Sequence, residues 1–149
     1  MPPRIRRESP ARQDARIRKH TAQARDYWPK WPGHLADGDF CQAGEKGWGA
    51  VAQLTKAVAT LRGWDHYDHV AIRDTINALA DELPQLGDTI DDGLSAAERM
   101  HGNFYEVYMD ARRVQIAMRR VLPLLEILWD LLPDEYTDGT SFAEWVEQA

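Results

Sequence analysis

The sequence predicts an all-α protein, a bundle of about five helices. Apolar residues recur at alternating spacings of three and four over most of the chain, the 3.6-residue period of helices that bury one face. Nowhere do Val, Ile, Thr and aromatic residues alternate over several positions, so strand signals are absent. The interruptions fall at Pro and Gly. At 149 residues, 44% hydrophobic and 28% charged, the chain is one ordinary domain's worth with a near-average globular composition.

The first helix is predicted from Ser9-Pro10, a cap followed by proline at the first helical position, to about Trp28, with Ile17, Thr21, Ala24 and Trp28 on one side. Pro29 and Pro32-Gly33 are expected to end it, leaving Trp28 and Trp31 packed in a turn. The second spans about Asp37 to Arg62. Its seam holds Phe40, Gly44, Gly47, Val51, Leu54, Val58 and Leu61. Each interior glycine costs about 1 kcal/mol relative to alanine, so Gly44, Gly47 and Gly49 imply close approach of another helix. The third runs from about Tyr67 to Leu83 with His69, Ile72, Ile76 and Leu79 in register. The fourth is expected to start near Asp91 or Ser95, where Ser95 to Glu98 reads as a capping box, and to break near Asp110. The fifth covers about Ala111 to Leu132, with Pro123 as a kink. An amphipathic turn at Phe142, Trp145 and Val146 follows, opened by Ser141 and Glu144. These elements divide the chain into a basic N-terminal helical arm (1–30), the bundle (31–132) and an acidic C-terminal tail (133–149).

Charge is uneven. Residues 1–26 carry eight basic and three acidic side chains, and the remainder carries ten basic against twenty-one acidic. A basic arm on an acidic body either folds against that body or a partner's acidic face, or contacts phosphate, for which Arg4, Arg6, Arg7 and Arg12 offer charge and fork geometry. Cys41 is the lone cysteine, which excludes an intramolecular disulfide and a cysteine-based zinc site; it is expected to be a small buried apolar group. No apolar run approaches the roughly 18 residues of a membrane span, and residues 1–18 are Arg-rich without the apolar stretch of a secretory signal. A cytoplasmic location with no membrane partner is the expectation.

Two stretches are dense in polar and aromatic groups: Glu45, Lys46 and Trp48 in the second helix, and His101, Asn103, Tyr105 and Glu106 in the fourth. They fit either a buried polar network that sets helix register or the floor of a cleft for a nucleobase or phosphate. His101 and Tyr105 share a helix face, as do Glu98 and His101. His66 and His69 are three apart beside Asp65 and Asp68, but no third or fourth ligand accompanies them in a metal framework, so no metal and no cofactor is expected. His66 is expected to cap the turn and His69 to turn inward beside Ile72 and Ile76. No phosphate-cradling glycine loop and no nucleophile motif is present.

Taken in order, Gly38-Asp39-Phe40, Gln42-Ala43, Glu45-Lys46, Trp48 to Gln53, Lys56 to Ala59, Arg62-Gly63-Trp64 and the later His101 with Asn103 to Glu106 resemble the PaREP-type branch of the HEPN superfamily, the nucleotide-binding domains of higher eukaryotes and prokaryotes. The resemblance implies an up-and-down helical bundle that forms homodimers and binds a nucleotide, RNA or a cognate protein partner, often within toxin–antitoxin or defence systems. Catalytic members of the superfamily carry an Arg and a His with four to six residues between them and cleave RNA without metal. The nearest match here is Arg62 with His69. Gly63 follows the arginine where a polar residue is usual, and the pair sits at the end of the second helix rather than in a late one. Binding without catalysis is therefore the favoured expectation, with a ribonuclease using Arg62 and His69, or a non-catalytic helical adaptor, as the alternatives.

Overall fold

The computed structural model describes residues 2–147; residue 1 and residues 148–149, the outer ends of the two terminal segments, lie outside the described part. The helices are α1 (Pro10–Tyr27), α2 (Trp31–Ala36), α3 (Phe40–Leu61), α4 (His69–Glu82), α5 (Gly87–Glu106), α6 (Ala111–Asp130), α7 (Asp134–Thr137) and α8 (Phe142–Glu147). Among the described residues there is no strand, only an isolated bridge between Ile5 and Trp64. The protein is an all-α bundle.

Side-chain caps fix where four of the five long helices begin. Ser9 accepts the N–H of Arg12, Asp39 that of Gln42, Asp68 that of Ala71 and Asp110 that of Arg113. Ser141 accepts the Glu144 N–H and donates its hydroxyl to the Glu144 carboxylate, opening α8.

Helix α3 is the hub and packs against α1, α2, α4, α5 and α6. Its seam is buried from Ala43 to Thr60, with Val51, Leu54, Ala57 and Val58 fully enclosed. The glycines set how closely its neighbours come. A Cβ on Gly44 would lie 3.2 Å from the Met100 Cβ of α5, and one on Gly47 would lie 2.5 Å from the Met118 Cε of α6. The same device joins α5 to α6, where a Cβ on Gly93 would stand 2.6 Å from the Leu124 Cβ. Three buried hydroxyls are satisfied by bonding back within their own helix, Thr21 to Ile17, Thr55 to Val51 and Thr60 to Lys56, whereas that of Thr75 in α4 is buried without a partner among the described residues. At the far end Trp145 stacks on Trp129 at 4.7 Å and seals α8 onto α6.

The structure departs from the sequence expectation in two places. Helix α1 ends at Tyr27, just ahead of Pro29, as expected, but Pro29 and Pro32 do not stop the chain from coiling further. Pro29 lies in the first turn of a 3₁₀ segment (Trp28–Lys30) and Pro32 in the first turn of α2, positions where proline has no hydrogen bond to lose. Helix α5 begins at Gly87, so Ser95 is two turns inside it and caps nothing; a 3₁₀ turn at Pro84–Leu86 feeds the chain directly into the helix. The expected break near Asp110 is present. Val107 turns left-handed at φ 51°, and the Asn103 side-chain oxygen accepts the N–H groups of Tyr108 at 2.7 Å and Met109 at 2.6 Å.

Candidate functional site

One stripe of α3 is small and polar instead of apolar. Glu45, Trp48, Gly49, Ala52, Gln53 and Lys56 follow one another at helical spacing and form the floor of a cleft of about 360 Å³. Tyr67, Asp68, His69 and Ile72 wall it from the start of α4, His101 from α5 and Tyr27 from the end of α1. Gly49 leaves room for Tyr27: a Cβ there would meet the ring at 2.8 Å.

Two histidines dominate the cleft. The His101 ring stacks on the Trp48 indole at 4.7 Å and the His69 ring at 4.9 Å, and the two imidazole centroids are 5.8 Å apart. These three distances put both imidazoles on the same face of the indole. Each is fixed by a different carboxylate. His101 Nδ1 lies 3.1 Å from both oxygens of Glu45, and His69 Nε2 lies 3.0 Å from Glu98 Oε2. Among the described residues, His101 Nε2 and His69 Nδ1 have no protein partner and neither is sealed from solvent. Burial works against the Glu98 carboxylate, but hydrogen bonds from Arg73 and His69 outweigh it and hold its pKa below the usual range.

Two ammonium groups share the cleft. Lys46 sits 5.1 Å from the centre of the Tyr27 ring. Lys56 has its pKa lowered by burial and then by the nearby Lys19. Neither has a carboxylate within ion-pair distance among the described residues. Beyond the cleft wall, His20 and His66 meet edge to face at 5.3 Å. His20 bonds Gln53 through Nδ1, and burial pushes its pKa down to about 4; burial also lowers that of His66. The Nε2 atoms of both are buried without a partner.

The residues singled out in the sequence fall into several groups. Glu45, Lys46, Trp48, His69 and His101 meet in the cleft. Tyr105 stands at its edge, 71% exposed and edge-on to His101 at 5.5 Å, and Glu106 is exposed beside it. Asn103 is wholly buried and serves the α5–α6 corner. His66 is buried behind the cleft, stacked on Tyr67 at 4.7 Å. Arg62 does not line the cleft. Both of its terminal nitrogens bond Glu82, at 2.8 and 3.0 Å, which raises the Arg62 pKa and lowers that of Glu82. Among the described residues no three metal-ligating side chains cluster.

Two local expectations are corrected. His69 is not a packing residue: its side chain is 38% exposed, because Asp68 caps α4 immediately before it and turns the ring toward α5. Cys41 is only partly buried, its thiol 3.6 Å from the Asn103 carbonyl. Glu98 shares a helix face with His101 but bonds His69 and Arg73 across the groove.

The start of the arm docks on its own body. Arg6 N–H donates to the Gly63 carbonyl at 2.8 Å and Asp65 N–H to the Arg4 carbonyl at 2.7 Å. The Arg6 guanidinium lies 3.9 Å from the centre of the Tyr67 ring and donates to a Tyr hydroxyl, that of Tyr67 itself. Arg4, Arg7 and Arg12 are exposed.

Fold and site define an all-α bundle protein with a polar, aromatic-walled cleft between α3, α4 and α5. Residues 32–125 match the model of the archaeal PaREP1/PaREP8 family, and the chain belongs to that family. No curated protein and no solved structure matches it. Among the described residues, no helix is long and apolar enough to cross a membrane.

Proposed function

We propose that the chain is a HEPN-like nucleotide-binding domain whose Trp48 cleft takes a phosphate-bearing nucleotide or a segment of RNA. The observation that carries this reading is the pair of carboxylate-held imidazoles on one face of Trp48, each with a free ring nitrogen, in a cleft that also holds the unpaired Lys46 and Lys56. Two lysine cations suit the several oxygens of a phosphate, and each imidazole, when protonated at its free nitrogen, adds an N–H donor. An anion beside Lys56 offsets the burial that lowers its proton affinity. Tyr105 offers an open aromatic face next to His101 on which a base can stack. The exposed corner of Phe104, Tyr105, Val107 and Tyr108 supports assembly as a homodimer or with a cognate protein, as in a toxin–antitoxin or defence pair.

The test is equilibrium binding of AMP, ATP and a short single-stranded RNA to the full chain and to Lys56→Gln and His101→Ala. Binding that weakens at least tenfold in both variants, with unfolding midpoints preserved, is expected. Absence of binding by all three probes to the unaltered protein sinks the reading.

One observation favours a second, catalytic reading. His69 and His101 lie side by side, so one can accept a proton while the other donates. This reading supports a metal-independent ribonuclease built on those two histidines, with Arg62 held away by Glu82. RNA cleavage in excess chelator, lost in both His69→Ala and His101→Ala, is its signature.

A further inference from the structure

A second groove lies between α5 and α6, separate from the cleft. It has a volume of about 440 Å³ and is lined by Arg99, Arg112, Arg113 and Arg120 over a floor of Ala96, Ile116 and Ala117. No carboxylate lines it. Arg119 and Arg120 continue into an adjoining depression that Asp88 and Asp92 share, but neither aspartate reaches ion-pair distance of an arginine among the described residues. Of the five arginines, only Arg113 is paired among the described residues, with Asp110 at 2.8 Å. Arg99 rests its guanidinium 5.8 Å from the centre of the Tyr108 ring.

This concentration runs against the body's own electrostatics. Residues 27–149 carry ten basic side chains against twenty-one acidic, and half of the ten are these five arginines. From Ala111 to Leu125 helix α6 has no acidic residue. Arg112 and Arg113 also occupy the first turn of α6, just after its cap Asp110, where the positive end of the helix dipole repels cations. A bundle gains no stability from stacking like charges at that end, and such local conflicts mark functional surfaces.

We propose that this groove binds a nucleic-acid phosphodiester backbone. The groove contains arginine and no lysine, and the planar guanidinium engages phosphate oxygens two at a time. Arg112 and Arg113 are seven residues from Arg119 and Arg120, about 10 Å along the helix at 1.5 Å per residue, so the two pairs grip phosphates that are not adjacent. The groove and the Trp48 cleft share no lining residue, and the inference does not rest on the reading of the cleft.

The experiment measures anisotropy of a labelled single-stranded RNA dodecamer against the full chain from low to moderate KCl. Four contacts predict a slope of log affinity on log salt near −3. Arg112→Gln/Arg120→Gln flattens that slope by about 1.4 and weakens binding at least tenfold at low salt, while the helical circular dichroism and melting midpoint stay put because both side chains are exposed. Arg4→Gln/Arg7→Gln/Arg12→Gln separates the groove from the arm. The proposal is overturned if the groove variant keeps the full slope, if the arm variant alone removes it, if the unaltered protein binds no RNA at low salt, or if polyglutamate of equal charge competes as well as RNA.

Discussion

Glu45 and His101 meet across fifty-six residues of sequence, with both carboxylate oxygens 3.1 Å from the imidazole Nδ1. The contact joins α3 to α5 and aims the other ring nitrogen away from the carboxylate. Glu45→Gln keeps the shape and removes the charge. Affinity for a nucleotide in the cleft should fall about tenfold or more, the scale of a lost charge-assisted hydrogen bond. The unfolding free energy should change by less than about 1 kcal/mol, since both side chains are partly exposed. Titration calorimetry and urea denaturation read the two quantities separately.

Asn103 has the opposite profile. Its side chain is fully buried and accepts two backbone N–H groups at the α5–α6 corner. Asn103→Ala leaves both donors without a partner in a closed site, a loss of roughly 2–4 kcal/mol. A denaturation midpoint within error of the unaltered protein would show that the corner does not depend on this side chain.

Gly93 tests the packing of α5 on α6. An added methyl meets Leu124 at its Cβ, 2.6 Å away, where no rotamer change relieves the contact. Gly93→Ala should destabilise by about 1–3 kcal/mol through overpacking. Gly47→Ala should cost less, because the groups it meets are the flexible ends of Met118 and Met100. Thermal melts of the two variants in parallel rank them.

Acid should weaken the fold through His20. Its folded pKa is about 4, against an ordinary 6.5, with burial as the main cause. The unfolded chain therefore takes up a proton that the folded one refuses. The stabilising contribution is complete above pH 6.5 and drains away as the pH falls toward 4. The full shift corresponds to about 3 kcal/mol; the ring is partly exposed, so about 1–2 kcal/mol is expected after screening. His20→Gln should flatten the stability profile between pH 6.5 and 4, measured by denaturation at constant ionic strength.

Local periodicity made most of the fold legible. The seam of Val51, Leu54 and Val58, and the glycines interrupting it, give α3 and its close neighbours directly. The misplaced start of α5 has a local cause: Ser95 and Glu98 carry capping chemistry but lie inside a helix that Pro84 and Gly87 had already launched. Of the cleft, Glu45, Lys46, Trp48 and His101 were visible as polar groups beside aromatics. Lys56, Gln53, Tyr27 and Asp68 also line it, and the sequence does not single them out for the cleft. Lys56 and Gln53 had a readable signal, since they extend the Glu45–Gly49–Ala52 stripe along one face of α3. Tyr27 and Asp68 had none, because their places depend on how α1 and α4 cross α3. That Glu98 bonds His69 and not its helix neighbour His101 is likewise a tertiary outcome that helix spacing does not encode.

The docking of residues 4–6 on residues 63–65 also matters in time. Arg6 and Tyr67 are sixty-one positions apart, so during synthesis the arm stays loose until α3 has formed. A segment held by two backbone bonds and one stacked guanidinium opens at lower free energy than the core helices, and its amides exchange first. Each opening takes Arg6 off Tyr67 and slackens one wall of the cleft. A molecule that fits only the tightened wall slows exchange at Arg6 and Asp65, and by reciprocity whatever fastens the arm lengthens the stay of that molecule.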